Sequence, residues 1–183
     1  AVLSAVGEES RLSVNSNGMV QLGTIAKGRR YAIQHVNNET GVIQPLTELA
    51  ARIREEGGLL VADCSQSAGK LALPDADIII LSAHKLGGPP GLGALLIKDL
   101  RLLRPTGGQE KGYRRGTENS PAITGLAAAL EAGSDWLDEA GALRTKLEAA
   151  IESEGGEVIA KGVPRLATIG SYRMPGVSAS SQL

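Results

Sequence analysis

Three apolar runs in this chain each break off into side chains able to do chemistry. Residues 31–36, YAIQHV, run into Asn37-Asn38-Glu39. Residues 59–63, LLVAD, end on Asp63 and continue as Cys64-Ser65-Gln66. Residues 76–82, ADIIILS, end on Ser82 and continue as Ala83-His84-Lys85. An amine, a carboxylate, an imidazole, amides and hydroxyls thus stand at equivalent points of three elements. The set lacks the further carboxylates that a magnesium site wants, and it has no Ser-His-Asp order on a nucleophile elbow. The run after Lys85, GGPPGLG, is not followed by Lys-Ser/Thr, so it is not a Walker-type phosphate loop.

A lysine amine forms a Schiff base with a carbonyl and so activates the carbon for amine exchange. The set therefore suits an aldehyde cofactor that carries a phosphate. Pyridoxal phosphate is the common case, and it typically pairs its lysine with an Asp on the ring nitrogen. On this reading Lys85 is the catalytic residue. Asp63 faces the ring nitrogen, where a nearby carboxylate favours the protonated form. Ser82 and His84 bind the phosphate together with loop N–H groups, while Asn38 and Gln66 hydrogen-bond the ring hydroxyl. Structural alternatives stand beside these roles. His84 can be a satisfied structural histidine, and Asn38 a turn cap. Cys64 reads as a small buried apolar residue and His35 as strand packing. The Arg114-Arg115 pair either grips an anion or solvates a loop.

These side chains need strands to deliver them. Residues 31–36 and 59–63 read as strands, and the helical spacing of Leu46, Leu49, Ala50 and Ile53 between them, stopped by Gly57-Gly58, completes a strand–helix–strand unit. Its two strands are expected to be parallel. Residues 76–82 are apolar throughout, as in a central strand. Residues 93–98, GALLIK, form a further strand whose direction the sequence leaves open. Ligands of open α/β sheets lie outside the carboxyl ends of the strands, where the three clusters would converge. Farther on, Ser120 and Pro121 are expected to start one helix, closed by Gly133. Residues 134–156 carry another, with Leu137, Ala140, Leu147 and Ile151 on one stripe. Strand and turn fragments follow from about residue 156.

Composition narrows the classes. The chain has 183 residues, no Phe, one Trp and three Tyr, so its core is aliphatic and no aromatic platform for single-stranded nucleic acid is expected. A net charge of −1 gives no sign of nucleic acid or anionic membrane as partner. The lone Cys64 excludes a disulfide framework and a cysteine-based zinc site, and it fits a reducing, cytoplasmic setting. No apolar stretch is long enough to span a bilayer. The chain opens without Met and ends on PGVSASSQL, which reads as a fragment.

The motifs HVNNETG, DCSQSAGK, SAHKLGGPPGLGAL and RRGTEN occur in this order, and together they resemble the cysteine desulfurases of the NifS/IscS type within the class V aminotransferase group. The resemblance runs along nearly the whole chain, and the Asn-Asn pair is closer to the desulfurase branch than to other class V enzymes. It implies a three-layer α/β/α, mostly parallel fold of the fold-type-I pyridoxal phosphate enzymes, usually homodimeric. Residues 1–133 would form a cofactor-binding large domain lacking its N-terminal part, and residues 134–183 a linking helix and the start of a small domain. The resemblance assigns Lys85, Asp63, Gln66, Asn38, Ser82 and His84 the roles given above, and has Thr117 reach the phosphate of the neighbouring subunit. It implies conversion of L-cysteine to L-alanine, with persulfide sulfur passed to an iron–sulfur scaffold or to tRNA thiolation. Alternatives are another class V reaction (an aminotransferase or a selenocysteine lyase) and a non-catalytic binding or dimerisation module.

The departures from the family pattern also count. The family's phosphate-binding glycine loop and ring-stacking histidine would lie before Ala1, and its catalytic cysteine beyond Leu183. The segment before YAIQHV is shorter than the family norm. Cys64 stands where the family often has Ala and is not the catalytic cysteine, so the chain as given is not expected to desulfurate cysteine.

Overall fold

The computed structural model describes residues 11–181. Its centre is a four-stranded sheet of β1 (Arg30–Gln34), β2 (Leu59–Asp63), β3 (Ile78–Ser82) and β4 (Gly93–Ile97), hydrogen-bonded in that order. β1, β2 and β3 are parallel, with Ala32 opposite Val61 and Val61 opposite Ile78. The expected strand–helix–strand unit is therefore present, with α1 (Leu46–Glu55) as its helix. Leu46, Leu49, Ala50 and Ile53 are all buried. They pack with Tyr31 and Ile33 of β1, Leu60 and Ala62 of β2, and Ile79 and Leu81 of β3 in one aliphatic core. The helix stops where Gly57 takes a φ of 67°, a backbone state that costs glycine little.

β4 runs antiparallel to β3, with Ser82 opposite Gly93 and Ile78 opposite Ile97. The link between them, residues 83–92, holds only a one-turn 3-10 helix, Ala83–Lys85. Parallel strands need a long crossover, so a link this short returns the chain in the opposite direction. A side chain at Gly93 would place its Cβ 2.6 Å from the Leu81 carbonyl oxygen, so the close return requires glycine there.

α2 (Ser120–Glu131) begins at the expected cap position itself, so its cap lies one residue earlier. Asn119, not Ser120, is the cap, its Oδ1 accepting the Ala122 N–H at 3.2 Å. Pro121 lies in the first turn, and Gly133 closes the end with a φ of 71°.

α3 (Leu137–Ser153) corrects the expected apolar stripe, because Leu147 is 50% exposed while Glu148 is buried. The physical reason is an ion cluster. Glu148 accepts from both terminal guanidinium nitrogens of Arg165 at 2.8 and 2.9 Å, and Arg144 on the same helix donates to the Leu166 carbonyl at 2.6 Å. The segment so held is tied in turn to the loop after β1: Ile43 donates to the Pro164 carbonyl and Leu166 to that of Gly41. β5 (Glu157–Val158) and β6 (Tyr172–Arg173) form a separate antiparallel pair. Among the described residues no helix is long and apolar enough to cross a membrane, and no cluster of His, Cys, Asp and Glu could hold a metal ion.

Candidate active site

Because β1, β2 and β3 share one direction, their carboxyl ends lie along one edge of the sheet. Asp63 is the last residue of β2 and pairs with Gln34 and Ile80 across its two neighbours. It is half-buried, and its Oδ1 accepts the Ser65 N–H at 3.0 Å. That bond turns the chain at the strand end and leaves the second carboxylate oxygen unused among the described residues. Cys64, next in sequence, continues the inward phase of β2 and is fully buried.

Ser82 ends β3, and the 3-10 turn after it carries His84 and Lys85. Ser82 Oγ and His84 Nδ1 lie 3.1 Å apart in a hydrogen bond, so the pair expected to hold a phosphate is brought together. Lys85 is exposed, and its amine makes no hydrogen bond or ion pair among the described residues. Its carbonyl accepts from Lys70 Nζ at 2.6 Å, and the Gln66 carbonyl accepts from the same nitrogen at 3.1 Å. The loop that carries Gln66 therefore lies against the turn that carries Lys85.

Two expected residues make their hydrogen bonds outside this group. Asn38 is exposed and donates its amide to Glu39 Oε1 at 2.7 Å. Its neighbour Asn37 shapes the turn, accepting from the Glu39 and Thr40 backbone N–H groups at 2.9 Å each. Thr117 is exposed in the loop before α2, where its carbonyl accepts from Arg114. No hydrogen bond joins either residue to Lys85, Asp63 or the Ser82–His84 pair. Arg114 and Arg115 hold their own loop: Arg114 donates to the Gly116 carbonyl and Glu118, and Arg115 to the Thr106 carbonyl.

Sequence reasoning missed two contacts that set the edge. His35 is buried, and its Nδ1 lies 2.8 Å from Ser67 Oγ, which locks the end of β1 to the loop after β2. Burial pushes the His35 pKa down. Lys70 is the second. It closes the quoted motif DCSQSAGK and stands four residues after Gln66, the spacing at which a helical turn aligns two residues; that spacing was the available signal.

The donor set fits pyridoxal phosphate. An amine unpaired among the described residues directly follows a Ser–His pair suited to phosphate oxygens, and a half-buried carboxylate with a spare oxygen ends the adjacent strand. A mostly parallel α/β sheet carrying these groups at its carboxyl edge defines a large domain of the fold-type-I pyridoxal phosphate class. Solved structures agree. A NifS-like protein superposes with a TM-score of 0.85 at 31% identity, covering 98% of this chain and 54% of that one. DndA from Streptomyces lividans gives 0.82 at 31% identity over 99% of this chain and 57% of that one. A third structure, with a TM-score of 0.75 at 30% identity over 91% of this chain and 51% of that one, is SspA in complex with cysteine.

Residues 11–178 match the class-V aminotransferase family, and the chain belongs to it. Its curated relatives include a cysteine desulfurase of Bradyrhizobium diazoefficiens, 41% identical over 170 residues that make up 84% of this chain and 43% of the relative. A Nostoc cysteine desulfurase is 35% identical over 77% of this chain and 38% of the relative. The chain thus spans about two-fifths of the length of these curated relatives. The family is pyridoxal phosphate-dependent, and the similarity within it is to the NifS/IscS type.

Proposed function

We propose that this chain carries the lysine and ring-binding half of a pyridoxal phosphate-dependent cysteine desulfurase, which converts L-cysteine to L-alanine. The observation that carries the proposal is the arrival of Asp63, Ser82, His84 and Lys85 at one edge of three parallel strands, with the Gln66 loop held against the Lys85 turn. When bound, the cofactor supplies an aldehyde that amines add to and a ring that accepts electrons. Lys85 would hold the aldehyde carbon and would also serve as the general base for the proton on the substrate α-carbon. Asp63 keeps a proton on the ring nitrogen through its opposite charge. Ser82 and His84 anchor the phosphate, and Gln66 and Asn38 orient the ring oxygen.

Thr117 serves the phosphate site of a second subunit in a homodimer. The thiolate that removes the substrate sulfur as a persulfide comes from outside this sequence, since Cys64 is its single cysteine and is buried. The sulfur goes to an iron–sulfur scaffold or a tRNA-thiolation acceptor in the cytoplasm. Residues 1–133 act as the cofactor-binding domain, and residues 134–183 begin a second, smaller one; residues 1–10 and 182–183 lie outside the described residues.

The test is spectroscopic. Titrating pyridoxal phosphate into the chain should produce a visible absorption band that Lys85→Ala abolishes. A band that survives the substitution would show attachment to another amine and overturn the assignment of Lys85.

A further inference from the structure

Lys70 has no part in the reading above, yet it is the side chain that joins two of the loops at the carboxyl edge. Its amine lies 3.1 Å from the Gln66 carbonyl and 2.6 Å from the Lys85 carbonyl. The loops meet closely beside it. A Cβ at Gly69, where φ is 73°, would lie 3.4 Å from the Leu86 Cβ. Lys70 is half-buried, and both its burial and the charge of Lys85 push its pKa down. An ammonium in such a place keeps its charge at a cost, which the two carbonyls offset as charge-assisted acceptors.

From this geometry we infer that Lys70 is a positioning residue, a cationic staple that fixes the backbone of Lys85 against the Gln66 loop and so sets where the Lys85 amine stands relative to Asp63 and Gln66. The inference rests on the reading of Lys85 as the cofactor lysine. The chain argues for a positional role as well as a cohesive one. Ala83, which opens the 3-10 turn, donates to the Leu92 carbonyl, and Ala83 accepts from the N–H groups of both Leu86 and Gly88. The turn is thus fixed on its β4 side by these bonds and on its β2 side through Lys70. Without the staple, the turn keeps those backbone bonds but loses its tie to the Gln66 loop.

The experiment compares wild type, Lys70→Met and Lys70→Arg, with Lys98→Met as a control. Lys98 lies at the opposite edge of the sheet, its N–H on the Asp77 carbonyl and its amine on Asp75. Loss of a hydrogen bond to a charged group predicts about tenfold weaker pyridoxal phosphate binding in Lys70→Met, with a shifted visible band. Hydrogen exchange of the Leu86 and Gly88 amides in the cofactor-free protein should accelerate by a similar factor. Lys70→Arg, which keeps the charge and the donors, should recover most of the affinity and the wild-type band. Lys98→Met should leave both unchanged even where it lowers thermal stability, which separates positioning from general destabilisation. If wild type gives a Lys85-dependent band and Lys70→Met matches it in affinity, spectrum and exchange, the staple is refuted while the proposed function stands. If wild type gives no such band, the function reading fails, and the exchange rates alone then decide whether Lys70 holds the turn.

Discussion

Adjacent residues at the end of β2 meet opposite fates. Asp63 keeps a carboxylate oxygen available at the sheet edge, whereas Cys64 is 0% exposed and its thiol is pushed up to about 11. Burial is the main cause, a Ser67 hydrogen bond pulls the other way, and the charge of Asp63 adds to the rise. Since the thiolate is the reactive form, native Cys64 should resist iodoacetamide at about pH 8 and become alkylated once the chain is unfolded in urea. Mass spectrometry follows both, and rapid modification of the native chain would contradict the buried placement. At this scale the sequence was informative about residue type and strand end, and less so about rotamer. The motif HVNNETG names two amides, but it does not say that Asn37 turns inward to hold the loop while Asn38 faces Glu39. That choice depends on backbone N–H groups whose direction exists only once the turn has formed.

Among the elements, the contrast between α1 and α3 explains what could be read in advance. In α1 the four apolar residues at helical spacing are the four that become buried, because the helix covers an aliphatic sheet. In α3 the inward positions include Arg144 and Glu148, while Leu143 and Leu147 are more than half or half exposed. Hydrophobic periodicity cannot find a face whose cohesion is ionic. Nor does it find the partner, Arg165, which lies in an irregular segment 17 residues beyond Glu148. Arg165 is 5% exposed on its side chain, so removing the carboxylate strands a buried cation. Glu148→Ala should therefore cost about 3–5 kcal/mol, whereas replacing Glu148 and Arg165 together with Met should cost less, since the cation then left without its carboxylate is Arg144, whose side chain is 20% exposed and keeps the Leu166 carbonyl. Urea unfolding of the two variants measures the difference. Equal losses would mean that the cluster acts by packing rather than by charge.

At the scale of the molecule, two acid-sensitive contacts grip the segment that leaves β1. At its start His35 meets Ser67 of the loop after β2. Farther along, Gly41 and Ile43 hold the 164–166 stretch that Glu148 binds through Arg165. Both titrating groups have pKa values lowered on folding, His35 by burial and Glu148 chiefly by its hydrogen bonds to Arg165. In each case the unfolded chain takes up the proton first as the pH falls, so acidification favours unfolding. For His35 the loss begins near its ordinary value of 6.5 and ends once the folded imidazole is also protonated. For Glu148 the ion-pair contribution is complete above its ordinary 4.5 and is lost below it. Unfolding free energy should then be level between about pH 8 and pH 7.5 and fall in two stages below that, each proton contributing a slope of at most about 1.4 kcal/mol per pH unit. His35→Gln, which retains hydrogen-bonding capacity without a titrating ring, should flatten the first stage and leave the second. Urea midpoints for both proteins between about pH 8 and pH 4 test this, because linkage ties each slope to a proton taken up on unfolding. A wild-type profile that stays level through pH 6, or a His35→Gln profile that falls as steeply as wild type there, would mean that the imidazole is not held neutral at the junction of β1 and the Ser67 loop.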